Sequence, residues 1–165
     1  MVTLAFLQNA WFKPGTDKRL VELYRTNQAF HRKVLARSAT GRALKKMFGP
    51  LYEEIVWDNA SLEHGSVREH VSPPDPHHIA RVVAELRPDV VLLFGRQAEI
   101  GWDKMAEQTN LYSFPDYCVH VLRAPHPMAR GSADEHLKKI AIRVKLLYAK
   151  DEIGRHGDDT DPAEV

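Results

Sequence analysis

The sequence predicts an α/β protein: a three-layer α/β/α domain built on a central four-stranded, mainly parallel sheet. Two observations carry that expectation. Four short apolar runs alternate with helix-periodic segments, the order that wraps helices onto both faces of a parallel sheet. One of the runs, Val90-Val91-Leu92-Leu93-Phe94, is apolar without alternation, as a central strand covered on both sides should be. At 165 residues the chain suits one domain that buries roughly two-thirds of its unfolded surface.

The first strand is expected from Val2 to Leu7. Its start lacks a basic n-region and runs straight into Gln8-Asn9, so it reads as a strand and not as a secretory signal. Three helices are expected next, over 17–26, 28–36 and 40–48. Leu20, Leu23 and Tyr24 stripe the first, and Ala43, Leu44, Met47 and Phe48 the third. Thr40 is placed to cap the third, which Gly49-Pro50 ends. A second strand follows over 53–57, then a stiff loop at Ser72-Pro73-Pro74-Asp75-Pro76 and a helix over 78–86, stopped by Arg87-Pro88. The third strand spans 89–94 and a helix 96–107. The fourth strand is expected over 117–122, bounded by Pro115 and Pro125, and a long helix over 134–150 closes the domain. The domain is read as 1–150, and 151–165 as an acidic, disordered tail.

Composition excludes several classes. Hydrophobic residues make 44% and charged residues 27%, ordinary for a globular chain. No apolar run approaches the roughly 18 residues a membrane helix needs. A single cysteine, Cys118, can form neither an internal disulfide nor a four-thiolate iron–sulfur cluster, and fits a reducing, cytoplasmic compartment. Net charge is only +1, but Arg32, Lys33, Arg37, Arg42, Lys45 and Lys46 crowd one stretch, a density permissive of phosphate binding. Nine histidines, with the His77-His78 doublet, raise a metal-dependent hydrolase, yet none lies in a ligand spacing. No metal or cofactor is therefore expected, and nothing demands a second chain.

Chemistry is expected where the strands end. Parallel strands put their carboxyl ends on one edge, where open α/β sheets place their sites. Those ends read Gln8-Asn9-Ala10-Trp11, Asp58-Asn59-Ala60-Ser61, Gly95-Arg96-Gln97 and Ala124-Pro125-His126. Amide side chains carry a donor and an acceptor, which matches a nucleobase edge. Trp11 and Phe12 offer flat faces for stacking, and His126, held between two prolines, can donate to an oxygen that becomes anionic.

In that order, Gln8-Asn9-Ala10-Trp11, Asp58-Asn59-Ala60 and His126-Pro127-Met128-Ala129 resemble the motifs of the uracil-DNA glycosylase superfamily. Ser38-Ala39-Thr40-Gly41-Arg42-Ala43-Leu44 and Val91-Leu92-Leu93-Phe94-Gly95-Arg96-Gln97-Ala98 resemble its helix start and third strand, so the likeness spans residues 2 to 148. The chain departs from the pattern at Leu7 and Ala10, where the first motif has glycine and proline, and at Met128 and Ala129, where the last has serine and proline. The single cysteine sets it apart from the iron–sulfur branches.

The resemblance implies a monofunctional glycosylase that flips a uracil-like or modified pyrimidine out of DNA and leaves an abasic site. Asn9 would position the water, with Asp58 as the fallback activator, and His126 would stabilise the departing base. Asn59, with Asp58 or Gln8, would read the base edge, and Trp11 or Phe12 would stack on it. Thr40, Gly41, Arg42, Met128, Arg130 and Ser132 would meet the DNA strand. Because a carboxylate accepts from the exocyclic amine of cytosine, Asp58 raises a cytosine-derived base. Some relatives excise glucosylated hydroxymethylcytosine from phage DNA in anti-phage defence, a role compatible with this chain. The competing reading is a non-catalytic nucleic-acid or nucleotide binder on the same scaffold, supported by the divergent first motif.

Overall fold

The computed structural model describes residues 1–165 apart from Trp11, 66–70, 110–117, 130–132 and 158–165. Its centre is a four-stranded sheet of β1 (Thr3–Leu7), β2 (Val56–Asn59), β3 (Val90–Phe94) and β4 (His120–Ala124), all parallel and ordered β2-β1-β3-β4. Among the described residues six α-helices surround it: α1 (Lys18–Thr26), α2 (Gln28–Arg37), α3 (Ala39–Phe48), α4 (Pro76–Leu86), α5 (Arg96–Thr109) and α6 (Ala133–Gly157). No helix among the described residues is long and apolar enough to cross a membrane.

The two central strands, β1 and β3, are buried along their whole length, which explains why only Thr3 among their ten residues is polar. Strand side chains alternate between faces. Ala5, Leu7, Trp57, Leu92 and Phe94 point to one face, where they pack with Leu35 of α2, Leu44 and Phe48 of α3, and Leu137 and Val144 of α6. Leu4, Phe6, Val91 and Leu93 point to the other, against Ile79 and Val83 of α4 and Trp102 and Met105 of α5. Three layers result, with a separate apolar core on each side of the sheet.

Several boundaries differ from the sequence reading, each for a local reason. Gly49 leaves α3 with φ +61°, and Pro50 opens a 3-10 turn over Gly49–Glu53, so β2 starts at Val56 and runs to Asn59. The fourth strand is carried toward its carboxyl end, because His120 to Ala124 pair in register with Val90 to Phe94. Tyr117 lies outside the described residues. In α1 the buried positions are Val21 and Tyr24, while Leu20 and Leu23 are exposed, so the apolar stripe is rotated by one residue. Helix α6 continues through Gly157, past the point where the tail was expected to begin, and 158–165 lie outside the described residues.

The α2–α3 corner is a tight joint. Ser38, not Thr40, caps α3: its Oγ accepts from Gly41 N–H at 2.9 Å and donates to Leu35 O at 2.7 Å. A Cβ on Gly41 would sit 1.8 Å from Leu35 O and 2.4 Å from its carbonyl carbon. Only glycine lets the two backbones approach this closely, and the corner then faces the carboxyl edge of the sheet.

Candidate functional site

Three strand ends converge on that edge. Chain leaving β1 passes Gln8 and Asn9, β2 ends on Asn59, and β4 is followed by Pro125-His126. Gly95, with φ +86°, turns the chain out of β3 between them; a Cβ there would lie 2.9 Å from Gln8 Nε2 and 3.3 Å from His126 Cβ. The glycine is thus the gap that lets Gln8 and His126 approach each other.

The resulting cleft measures about 150 Å³ and is lined by Gln8, Asn9, Phe12, Tyr24, Asn59 and His126, with Ser38 and Thr40 from the α2–α3 corner. That is well below the roughly 300 Å³ that bounds drug-sized pockets from below, so it suits one planar ring better than a whole nucleotide. Asn9 and Asn59 are only 6% and 7% exposed, which is unusual for amides and means their hydrogen bonds are set by the fold. Asn9 Nδ2 donates to Ala10 O at 3.3 Å. Asn59 Nδ2 donates to the Tyr24 hydroxyl at 3.2 Å, and that hydroxyl lies 3.1 Å from His31 Nε2.

Tyr24 and His31, on separate helices, stack with centroids 4.1 Å apart and 21° between planes. Phe12 meets Tyr24 edge-on at 5.2 Å, and its loop is tied down by Phe12 N–H to Gly65 O at 3.1 Å and Gly65 N–H to Ala10 O at 3.0 Å. Burial drives the electrostatics of the cluster. It pushes the Tyr24 phenol up to about 12, so the hydroxyl keeps its proton, and pushes the His31 imidazole down to about 4. Neutral His31 can then accept a hydrogen bond from the Tyr24 hydroxyl while Tyr24 accepts from Asn59.

This pair couples the cluster to pH. The folded state holds His31 neutral, whereas the unfolded chain protonates near its ordinary value of 6.5. Stability is therefore unaffected above that pH and falls as pH drops from about 6.5 toward 4, by up to about 1.4 kcal/mol per pH unit. Unfolding free energies from urea titrations at pH 7 and pH 5 should differ by about 2 kcal/mol more in the native chain than in His31→Gln. Equal pH dependence in the two proteins would contradict the buried neutral ring.

His126 is set up as a donor. Burial pushes its imidazole below the usual range, which keeps the ring neutral at pH 7. Met128 N–H lies 3.2 Å from Nδ1, so Nδ1 accepts and the proton resides on Nε2.

Not every expected residue reaches the cleft. Asp58 and Asn59 are consecutive on β2 and face opposite sides of the sheet, since Asp58 pairs with Phe6 and Asn59 with Leu7. Asp58 turns toward α4, where Oδ2 lies 3.2 Å from His78 Nε2, at ion-pair distance though not aligned as a hydrogen bond. It borders a separate small cleft of about 20 Å³ that also touches Asn59. The expectation that Asp58 and Asn59 read one base edge together is corrected accordingly, and the argument for cytosine that rested on Asp58 goes with it. Arg42 is exposed but its Nη1 donates to Arg37 O at 2.6 Å, and the Gly41 N–H is taken by Ser38. Met128 is 44% exposed just beyond His126. Trp11, Arg130 and Ser132 lie outside the described residues.

Tyr24 and His31 are the site residues that sequence reasoning missed. The only available signal was an aromatic and a histidine seven positions apart on either side of the Asn27 break, which reads as two core faces. The chain matches no protein-family model, no curated protein and no solved structure.

Proposed function

We propose that the protein is a DNA glycosylase that hydrolyses the N-glycosidic bond of a flipped uracil-like or modified pyrimidine. The observation that carries this reading is the cleft itself. A ring-sized cavity at the carboxyl edge of a parallel sheet joins two buried amides to a neutral histidine whose Nε2 bears the proton. The ordered motifs of the sequence agree with it.

The target base must leave the stack, since its glycosidic bond is inaccessible inside a duplex. The flipped ring enters the cleft beside Phe12, and Asn59 reads its edge with an amide whose orientation Tyr24 sets. The C1′–N1 bond breaks with its electron pair passing to the base, and the charge collects on a carbonyl oxygen. His126 Nε2–H donates to that oxygen, an interaction that strengthens as charge develops. Asn9 orients a water toward C1′. The water oxygen bonds to the sugar, its proton is lost to solvent, and free base and an abasic site are the products.

One observation favours the second reading, a nucleic-acid binder without catalysis: among the described residues, no carboxylate lines the cleft, so no strong general base faces the sugar. A dissociative cleavage needs little base strength, which is why catalysis remains the proposal. Duplexes bearing uracil, a thymine mismatch, hydroxymethylcytosine or glucosylated hydroxymethylcytosine, incubated with the protein and then treated with alkali, separate the two. Strand breaks at one of these bases are expected. Intact strands across the panel, with DNA still bound, would establish the binder.

A further inference from the structure

Between α2 and the segment from α3 to the 3-10 turn lies a second groove, of about 470 Å³. Ala29 and Ala36 line it together with the cations Arg32, Lys33, Arg37 and Lys45. One carboxylate, Glu53, serves two of these cations, with Arg32 Nε at 3.6 Å and Lys45 Nζ at 3.3 Å. Among the described residues no carboxylate lies within ion-pair distance of Lys33 or Arg37. These two stand four residues apart on one helix, so like charges face each other across a single turn, an arrangement that weakens a helix unless an anion comes between them.

We propose that this groove binds the phosphodiester backbone of the DNA strand next to the flipped nucleotide. The inference rests on the glycosylase reading for the identity of the polyanion, and on the groove for its placement. Two features favour a strand over a single small anion. From Ala29 to Arg37 the helix rises about 12 Å, a span that at about 3.4 Å per phosphate along each strand's axis faces three or four phosphates. The groove also adjoins the cleft: Val34 and Leu35 of the same helix line the cleft, as does Ser38, the residue after Arg37. A strand whose base enters the cleft can therefore pass over the α2–α3 corner and continue between Lys33 and Arg37.

Salt dependence reads this directly, because each phosphate contact releases counterions. Affinity for a short duplex is measured from about 50 to 200 mM salt. The proteins compared are the native chain, Lys33→Gln/Arg37→Gln, and a control, Lys104→Gln/Lys150→Gln, that removes the same charge from exposed positions on α5 and the end of α6. The groove variant should lower the slope of log affinity against log salt by about 1.4–1.8, and the control should leave it near native. Equal slopes in all three, or an equal fall in both variants, would overturn the groove while leaving DNA binding intact. Polyglutamate competing as well as DNA at matched charge would assign the groove to an acidic protein segment and overturn it too. A native chain that binds no DNA would overturn both the groove and the glycosylase reading. The predicted fall in slope without base release in the oligonucleotide panel would uphold the groove and refute the catalysis.

Discussion

Replacing His126 with alanine should slow base release about 10²–10³-fold while duplex affinity stays within a few-fold, because the donor it removes acts only on the charge that develops as the bond breaks. The geometry makes this donor specific. Met128 N–H occupies Nδ1 at 3.2 Å, burial keeps the ring neutral, and Nε2–H is left to donate; under the proposed mechanism its acceptor is the departing base. The same arrangement fixes the pH response. As pH falls through the lowered imidazole value, Nδ1 takes up a proton, the Met128 contact is lost, and the neighbourhood that favoured a neutral ring is strained. The acid limb of the rate profile should lie below about 6.5, the ordinary histidine value, and disappear in the variant. Single-turnover rates and binding isotherms measured side by side check both statements. Equal losses in rate and affinity would mean that His126 holds DNA and does not act on the reacting base.

Gly41→Ala should be strongly destabilising. A Cβ at that position meets Leu35 O at 1.8 Å, a backbone atom that no side-chain rotation can move aside. Leu35 O also accepts from Ser38 N–H at 2.9 Å and from Ser38 Oγ at 2.7 Å, so moving it disrupts the cap that joins the two helices. A loss of about 3 kcal/mol is expected, at the upper end for overpacking. For a chain of this size that lowers the thermal midpoint by about 10 °C. The damage should reach function, because Leu35, Ser38 and Thr40 line the cleft. Arg42→Ala, which removes only an exposed side-chain contact to Arg37 O, should cost far less. Thermal midpoints for the two variants that differ by less than about 2 °C would contradict the close approach.

Much of the fold was legible because the two buried strands carry an unmistakable pattern. Val90 to Phe94 are apolar on every residue and the run through Leu7 on all but Thr3, and helices on both faces follow from that pattern. The edge strands were harder. Both β2 and β4 bury only some positions, and their limits depend on a 3-10 turn after Gly49 and on pairing with β3. Ser38 and Thr40 are both reasonable caps in sequence; the choice was made by the Leu35–Gly41 approach, a contact between helices. At the site, the strand ends place Gln8, Asn9, Asn59 and His126 around one cleft. Asp58 was grouped with them by its place at a strand end, although the two-residue period of a strand already separates it from Asn59. Tyr24 and His31 stayed hidden because their stacking depends on the angle between α1 and α2, which no short motif encodes.

The central claim is that this cleft releases a pyrimidine from DNA, and the most direct measurement is detection of the free base itself. The native chain and His126→Ala, each in excess over duplexes carrying one modified pyrimidine, are followed by chromatography of the small-molecule fraction. A released base that accumulates with the native chain and is slowed about 10²–10³-fold by the variant is the predicted result. Bound duplex with no base released from any member of the panel would contradict the account and leave the protein a nucleic-acid binder.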